Sequence, residues 1–274
     1  MAERDHVVGL IGAGIDASLS PALHEAEAAA QGLDYEYRLL DIDGRELGAL
    51  LEQARAAGFS GVNVTHPCKQ DVVPFLDELS PEAAALDAVN TVVFRAGRAI
   101  GHNTDASGFA ESFRRGLPHA RLGKVVVLGA GGAGSAVAHA ALRLGARELV
   151  IVDVDSTRAA ALANRLGART GALDSVQDAD GLIHATPTGM AAHPGLPLPE
   201  ELLRPELWVA EVVYRPLETE LVKRARELGC RTLDGGGMAV MQAAGAFERF
   251  TGVEPDRERM LRHFATLVEP VSAR

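Results

Sequence analysis

Apolar and polar positions along the first hundred residues predict strands and helices in turn. Val7–Ile11 is a short apolar run, Tyr35–Leu40 looks extended, and Gly61–Val64 is extended again. Between these runs, Ala22–Gln31 is rich in helix formers and Glu46–Ala57 carries apolar residues at helical spacing. The alternation of strand, helix and strand is typical of a parallel α/β unit.

Turn and cap signals divide these elements. Ser20 followed by Pro21 predicts the N-terminal cap of the first helix, with proline at its first position. Later, Val89–Phe94 and Arg98–His102 flank the pair Ala96-Gly97, which predicts a hairpin at the end of this first unit.

The pattern restarts at Lys124 with a second α/β unit. Val125–Leu128 is a continuous apolar strand, followed by a glycine turn, a helix from about Ala133 to Leu144, and a strand at Leu149–Val152. Further predicted elements are the strands Gly181–His184, Trp208–Val213 and Arg231–Leu233 and a helix over Glu218–Leu228. This order predicts a doubly wound, Rossmann-type sheet.

Three glycines after Asp234 precede two helical segments, Met238–Phe250 and Asp256–Leu267, with no further strands. We expect these helices to return to the first domain. The sequence therefore predicts two domains: a discontinuous one formed by residues 1–105 and 238–274, and a second one at 106–237.

Composition and charge narrow the possible functions. The chain has 274 residues, 47% of them hydrophobic, which is enough to bury real cores. Its formal charge of -10 leaves no basic excess for a nucleic acid or an anionic membrane surface. The amino terminus lacks an apolar leader, and Cys68 and Cys230 have no disulfide-framework or zinc spacing. We expect a cytoplasmic protein without a metal.

A glycine loop in the second unit predicts a dinucleotide site. The segment follows an apolar strand and opens a helix, the context in which glycines allow a pyrophosphate to approach the helix N-terminus. The residues are Gly129, Ala130, Gly131, Gly132, Ala133 and Gly134. Asp153, about twenty residues on, predicts a hydrogen bond to the adenosine ribose and repulsion of a 2'-phosphate, which favours NAD over NADP. Arg158 is the alternative partner, for the phosphate of NADP.

Polar residues also gather at predicted strand ends in the first unit. Asn63–Lys69 ends a strand, and Lys69 is one of only three lysines, a residue that can lose its proton where arginine cannot. Asn90 and Asp105 are either residues that orient hydroxyl groups or ordinary turn and cap residues. The glycines of Gly9–Gly14 lack a following small-residue helix, so we interpret them as shaping a loop rather than a second nucleotide site.

These motifs together resemble the shikimate dehydrogenase family, most closely its NAD-preferring quinate/shikimate dehydrogenase branch. The resemblance covers nearly the whole chain. The matching motifs are S-x-S-P at Ser18–Pro21, N-V-T-x-P-x-K at Asn63–Lys69, A-V-N-T at Ala88–Thr91, G-x-N-T-D at Gly101–Asp105, the glycine loop, A-T-P-x-G-M at Ala185–Met190, V-Y-x-P at Val213–Pro216 and D-G-x-x-M-x-x-x-Q at Asp234–Gln242.

The resemblance implies a substrate domain, a nucleotide domain and an active site between them. It implies that Lys69 and Asp105 are the catalytic pair. The implied substrate-binding residues are Ser18, Ser20, Thr65, Asn90, Tyr214 and Gln242. Besides the glycine loop, Asp153 and Arg158, the implied cofactor contacts are Thr186, Met190, Val212, Gly235 and Met238.

The implied reaction is reversible oxidation of the C3 hydroxyl of shikimate or quinate, with NAD as the hydride acceptor and a monomer or homodimer as the assembly. NADP-using members have an N-R-T cluster after the second strand of the nucleotide domain, and this chain lacks it, which favours NAD. For the substrate, Ser20 is the residue usual in shikimate enzymes. The alternatives are an NADP-linked biosynthetic shikimate dehydrogenase, an enzyme for an amino analogue of the ring acid, or a ligand sensor without chemistry.

Overall fold

The computed structural model describes Asp5–Val268, which form two compact units, each built on a six-stranded sheet. The first unit comprises the chain up to Thr104 and from Val240 onward, and the second is Asp105–Ala239. Residues 1–4 and 269–274, the outer ends of the predicted first domain, lie outside the described residues. The prediction of an α/β fold with two sheets and a doubly wound second unit is confirmed.

The first unit has a mixed sheet in the order β2-β1-β3-β5-β6-β4. β1 pairs in parallel with β2 and β3, while β5 and β6 form the predicted hairpin. The elements are β1 (His6–Gly12), α1 (Ser20–Ala30), β2 (Tyr35–Asp41), α2 (Leu47–Ala56), β3 (Gly61–Val64), a 3-10 turn (Val73–Phe75), β4 (Glu78–Leu79), α3 (Pro81–Leu86), β5 (Thr91–Arg95) and β6 (Arg98–His102).

The second unit has a parallel sheet in the order β12-β11-β10-β7-β8-β9. Chain order runs outward from β7 in both directions, so the order reverses between β7 and β10. The elements are α4 (Asp105–Gly116), β7 (Lys124–Leu128), α5 (Gly132–Leu144), β8 (Glu148–Val152), α6 (Ser156–Leu166), β9 (Arg169–Thr170), β10 (Gly181–His184), β11 (Trp208–Glu211), α7 (Glu220–Glu227) and β12 (Arg231–Leu233), with 3-10 turns at Leu173–Val176 and Glu200–Leu202.

The central strands β3, β10 and β11 are buried on both faces, which explains why most of their residues are apolar, without alternation. In β1, Leu10 packs into a cluster with Phe247, whereas the next residue, Ile11, packs into a second cluster with Leu50 of α2. In the second unit, the rings of Trp208 and Phe113 pack in a T-shaped pair with their centroids 4.9 Å apart.

The two C-terminal helices are α8 (Gly235–Thr251) and α9 (Arg257–Val268), and the prediction that they return to the first domain is confirmed. The buried Glu27 of α1 accepts hydrogen bonds of 2.8 and 2.7 Å from Arg259 and one of 2.8 Å from the Asp256 backbone. Burial raises the pKa of Glu27, but these hydrogen bonds outweigh it and lower the pKa. The carboxylate therefore holds the end of the chain against α1.

Several helix starts differ from the sequence prediction, among them that of α7, which begins at Glu220 rather than Glu218. Ser20 is not the cap of α1 but its first residue, because Ser18 Oγ accepts the Ser20 backbone N–H at 3.2 Å. α8 begins at Gly235, three residues before the predicted Met238, and glycine is needed there because a Cβ would lie 2.5 Å from the carbonyl oxygens of Val212 and Val213. The prediction also omits α4, although Phe109 and Phe113 have helical spacing and are buried on it.

Among the described residues, no helix combines the length and the apolar character needed to span a bilayer.

A buried histidine lies in the aromatic core of the first unit. His24 of α1 is 1% exposed, and its Nδ1 lies 2.9 Å from the hydroxyl of Tyr35. Phe247 packs against both rings. Burial lowers the pKa of His24 to about 3.

We predict that His24 makes the first unit acid-sensitive. Between about pH 6.5 and 3 only the unfolded chain protonates this group, so its contribution is complete above pH 6.5 and is lost as the pH falls. One such proton corresponds to about 1.4 kcal/mol of stability per pH unit. Urea unfolding between pH 6.5 and 4.5 should be less steeply pH-dependent in His24→Gln by that amount, with tyrosine circular dichroism as the signal.

The fluorescence of Trp208, in the second unit, supplies the control, since its unfolding transition should have the same pH dependence in both proteins. Burial also lowers the pKa of His102, but both proteins keep this residue, so its contribution to the pH dependence is the same in each. An unchanged slope in His24→Gln would therefore contradict the prediction.

Candidate active site

The first unit gathers polar groups where β1 and β3 end. The Thr65 backbone N–H donates to Ile11 O at 2.9 Å, and Ala13 N–H donates to His66 O at 3.0 Å. At Gly12 a Cβ would lie 2.3 Å from Thr65 Cγ2, so only glycine lets the two segments approach this closely. The loop that carries Ser18 and the loop that carries Lys69 are therefore neighbours.

An aspartate at the end of β2 fixes the first of these loops. Asp41 Oδ2 accepts the backbone N–H groups of Gly14 at 2.9 Å and Ile15 at 3.3 Å, and Oδ1 accepts that of Asp43 at 3.0 Å. The hydrogen bonds from Asp43, Ile15 and Gly14 lower the pKa of Asp41. Beyond this bend the loop reaches Ser18 and Ser20, both half-buried.

Asn90 lies at the centre of a buried hydrogen-bond network. Its Oδ1 accepts Thr104 N–H at 2.8 Å, and its Nδ2 donates to Thr104 Oγ at 2.8 Å. Behind it, Asn63 Nδ2 donates to Asn90 O at 3.2 Å, and Asn63 Oδ1 accepts the Tyr37 hydroxyl at 2.8 Å. These bonds fix both the backbone and the amide of Asn90.

The other predicted residues of this unit lie around that network. Gln242 of α8 is half-buried, with Oε1 3.5 Å from Asn90 Nδ2. Lys69 is half-buried and its carbonyl accepts the Val89 N–H at 2.8 Å, while Thr65 is half-buried at the end of β3. The structure thus brings Thr65, Lys69, Asn90 and Gln242 to one edge of the first sheet.

Asp105 and Tyr214 belong to the second unit. Asp105 directly follows Thr104, whose backbone N–H is bound by Asn90, and it is the first residue of α4. Tyr214 follows β11 and is half-buried, and burial raises the pKa of its hydroxyl.

Sequence reasoning did not identify Asn63, Asp41 and Thr104 as residues that support this site. A polar side chain within the buried strand β3 was a usable signal for Asn63, because a buried amide needs hydrogen-bond partners. Nothing in the local sequence distinguishes Asp41 from a surface acid.

The glycine loop of the second unit has a different geometry at each of its spaced glycines. Gly129 has φ +104°, which favours glycine, and at Gly134 a Cβ would lie 2.0 Å from Gly129 O. At Gly131 a Cβ would meet no atom within 4 Å, although this residue precedes the first turn of α5. The space over Gly131 and the N–H groups of α5 together form a cradle that fits a pyrophosphate.

Asp153 also binds the glycine loop. Its Oδ2 accepts Ala130 N–H at 2.7 Å, and its Oδ1 accepts Asp155 N–H at 2.8 Å. Arg158, with 57% of its side chain exposed, lies 3.5 Å from Asp153 Oδ1 and 3.6 Å from Asp155 Oδ2. Both predicted determinants of cofactor choice are therefore at the carboxyl end of β8, on one side of the cradle.

The remaining predicted cofactor residues follow β10 and β11 or begin α8. Thr186 and Val212 are half-buried, Met190 is exposed, and Gly235 and Met238 are buried. Among the residues from Asp5 to Val268, no group of three or more His, Cys, Asp or Glu side chains is placed to hold a metal ion.

We predict that two glycine substitutions in the loop separate ligand binding from stability. Gly131→Ala should leave the melting temperature within about 2 °C, because its methyl group would meet no other protein atom within 4 Å. The same methyl group would occupy the space assigned to the pyrophosphate, so the dissociation constant for NADH should rise at least about tenfold. Gly134→Ala should lower the melting temperature, because its methyl group would overlap a carbonyl oxygen. Calorimetric unfolding and NADH titration distinguish these effects, and unchanged NADH binding by Gly131→Ala would contradict the cradle.

Three family models match most of the chain. The Shikimate dehydrogenase substrate binding domain matches residues 10–92, and the Shikimate 5'-dehydrogenase C-terminal domain matches residues 235–263. Between them, the Alanine dehydrogenase/PNT, C-terminal domain matches residues 97–190.

Individual relatives match over nearly their full length. A shikimate dehydrogenase (NADP(+)) of Streptomyces avermitilis is 61% identical over 290 residues, covering 100% of both chains. A quinate/shikimate dehydrogenase (NAD(+)) of Corynebacterium efficiens is 48% identical, covering 95% of this chain and 98% of its own. The structure of quinate dehydrogenase from Corynebacterium glutamicum in complex with NAD superimposes with a TM-score of 0.90 at 47% identity, covering 95% and 99% of the two chains. The chain therefore belongs to the shikimate dehydrogenase family of NAD(P)-dependent oxidoreductases.

Proposed function

We propose that this enzyme interconverts shikimate or quinate and the corresponding 3-dehydro ketone, with NAD as its cofactor. The observation that carries the proposal is the arrangement of Lys69, Thr65, Asn90 and Gln242 at one edge of the first sheet. This edge offers one amine and several hydroxyl and amide groups, which suit a ring with several hydroxyls. The relatives named for shikimate and quinate support the same substrate class.

We assign to Lys69 the role of accepting the proton that the substrate hydroxyl loses. Oxidation of the alcohol breaks its O–H and C–H bonds, and the lysine Nζ accepts the hydroxyl proton as the carbonyl forms. When bound, the nicotinamide supplies the hydride acceptor. Asp105 lies beside this hydroxyl and orients the lysine, whose Nζ receives the single hydroxyl hydrogen. In the reverse direction the lysine returns its proton to the developing alkoxide.

Substrate binding is assigned to hydroxyl and amide groups. Ser18 and Ser20 donate to the ring carboxylate, with Tyr214 close to the same group. Ser18 Oγ already accepts the Ser20 N–H, which aims its own hydrogen away from that backbone. Asn90 and Gln242 contact ring hydroxyls as a pair of adjacent amides, together with Thr65.

Asp153 supports NAD as the cofactor. A carboxylate at the end of β8 accepts a hydrogen bond from a ribose hydroxyl and repels a 2'-phosphate. The Corynebacterium glutamicum structure is a complex with NAD, whereas the Streptomyces avermitilis relative is named for NADP. NADP is therefore the second candidate, with the exposed guanidinium of Arg158 as the group that would meet its phosphate.

We predict that Lys69→Ala lowers kcat at least about a hundredfold, because it removes the group that moves the proton in the transition state. Binding of shikimate, measured by calorimetry, should change little. Lys223→Ala is the matched control, since it removes an exposed lysine from α7. A Lys69→Ala enzyme that keeps half of its kcat would exclude this residue as the general base.

We predict that kcat/KM favours NAD over NADP by roughly a hundredfold, equivalent to about 3 kcal/mol. Asp153→Asn should reduce this ratio, because the repulsive charge is lost. The amide oxygen can still accept Ala130 N–H, and only the hydrogen bond from Asp155 N–H is given up. Glu148→Gln is the control: it removes a carboxylate charge at the opposite end of β8, so the ratio should stay within about threefold. A wild-type preference for NADP would overturn the assignment of Asp153.

A further inference from the structure

A carboxylate lies completely buried at the end of β11. Glu211 Oε1 accepts the backbone N–H groups of Val212 at 2.9 Å and Val213 at 3.0 Å, and its Oε2 accepts the Thr219 hydroxyl at 2.9 Å. His184 Nδ1, on the neighbouring strand β10, lies 2.9 and 3.0 Å from the two oxygens. The side chains of Glu211 and His184 are both 0% exposed.

His184 continues this chain of hydrogen bonds toward the predicted cofactor residues. A carboxylate only accepts hydrogen bonds, so we assign the ring hydrogen of His184 to Nδ1, where it points to Glu211. The opposite ring nitrogen, Nε2, lies 2.5 Å from Thr186 Oγ. Thr186 Oγ also accepts Thr188 N–H at 3.3 Å. The rotation of the Thr186 side chain is thus set by a buried ring rather than by solvent.

Two other contacts extend from the same carboxylate. Thr219, which donates to Glu211, caps α7 and packs on Gly189, where a Cβ would lie 3.1 Å from it. A Cβ at Gly235 would lie 2.5 Å from the carbonyl oxygen of Val212, the residue whose N–H Glu211 binds. Through His184, Thr219 and Val212, Glu211 is therefore linked to the backbone segments that carry four predicted cofactor residues: Thr186, Met190, Val212 and Gly235.

The position of this network in the sheet identifies the part of the ligand that it faces. Its strands β10 and β11 lie on one side of β7, and Asp153 follows β8 on the other. A dinucleotide binds across the point where strand order reverses, with one nucleotide on each half of the sheet. Since Asp153 is assigned to the adenosine half, the Glu211 network faces the nicotinamide half.

We propose that His184 and Glu211 are positioning residues for the nicotinamide half of the bound dinucleotide. They act by fixing the Thr186 hydroxyl and the loop that follows it. This inference rests on the proposed function, because it takes NAD(P) as the ligand of the glycine cradle. Neither side chain needs to touch the ligand, since both are buried beneath the residues that do.

Calorimetric titration with NADH tests this proposal independently of turnover. His184→Asn and Glu211→Gln should each raise the NADH dissociation constant at least about tenfold. Thr186→Val should have a similar effect, and His184→Asn combined with Thr186→Val should be at most about twofold worse than Thr186→Val alone. The single changes would combine multiplicatively if His184 acted by another route, and that result would overturn the proposal.

A matched control separates positioning from stability. Glu27→Gln alters a carboxylate that is also buried and also accepts several hydrogen bonds, but in the first unit. It should lower the melting temperature while NADH binding stays within about twofold of wild type. If His184→Asn and Glu211→Gln behave like this control, the pair is only structural. If Glu211→Gln does not fold, His184→Asn and Thr186→Val complete the test on their own.

The wild type distinguishes failure of this inference from failure of the proposed function. Wild-type protein that binds neither NADH nor NADPH, or that oxidises neither shikimate nor quinate, contradicts the proposed function. Normal wild-type binding and turnover together with unchanged NADH binding in all the variants contradicts the positioning role alone.

Discussion

A loop that leaves the carboxyl end of a strand carries backbone N–H groups that the sheet no longer satisfies, and both units bind them with an aspartate. Asp41 accepts Gly14 and Ile15 N–H in the first unit, and Asp153 accepts Ala130 N–H in the second. Each aspartate is supplied by the strand next to the one that the loop leaves. The two loops assigned to ligands thus depend on the same interaction.

This arrangement links specificity to loop geometry in the second unit. In the proposed complex Asp153 accepts a hydrogen bond from a ribose hydroxyl, and its carboxylate already accepts the backbone N–H groups of Ala130 and Asp155. The carboxylate is therefore pre-organised, and binding requires little reordering of its side chain. The same sharing means that a variant of Asp153 tests cofactor choice cleanly only when it keeps an acceptor for Ala130.

The sequence predicted those parts of the fold that local patterns determine. Strands such as β7 are short apolar runs, and the glycine loop has fixed spacing, so both could be located without a structure. Helix starts failed where a neighbour decides them, as at Ser20, whose backbone N–H binds Ser18. The pairing of His184 with Glu211 joins positions 27 residues apart, and no local periodicity encodes it.

The insertion of the second unit into the first also constrains the order in which the two cores can form during synthesis. Asp105–Ala239 is one continuous stretch, so its core can close before the rest of α8 has been made. One of the two core clusters of the first unit cannot be completed in chain order, because in it Tyr35 packs against Phe247, which is added more than 200 residues later. Until then the face of β1 that carries Val8 and Leu10 lacks its partners in α8, and exposed apolar surface of this kind is what chaperones recognise in nascent chains. The half of the enzyme that is synthesised first is thus the half that matures last.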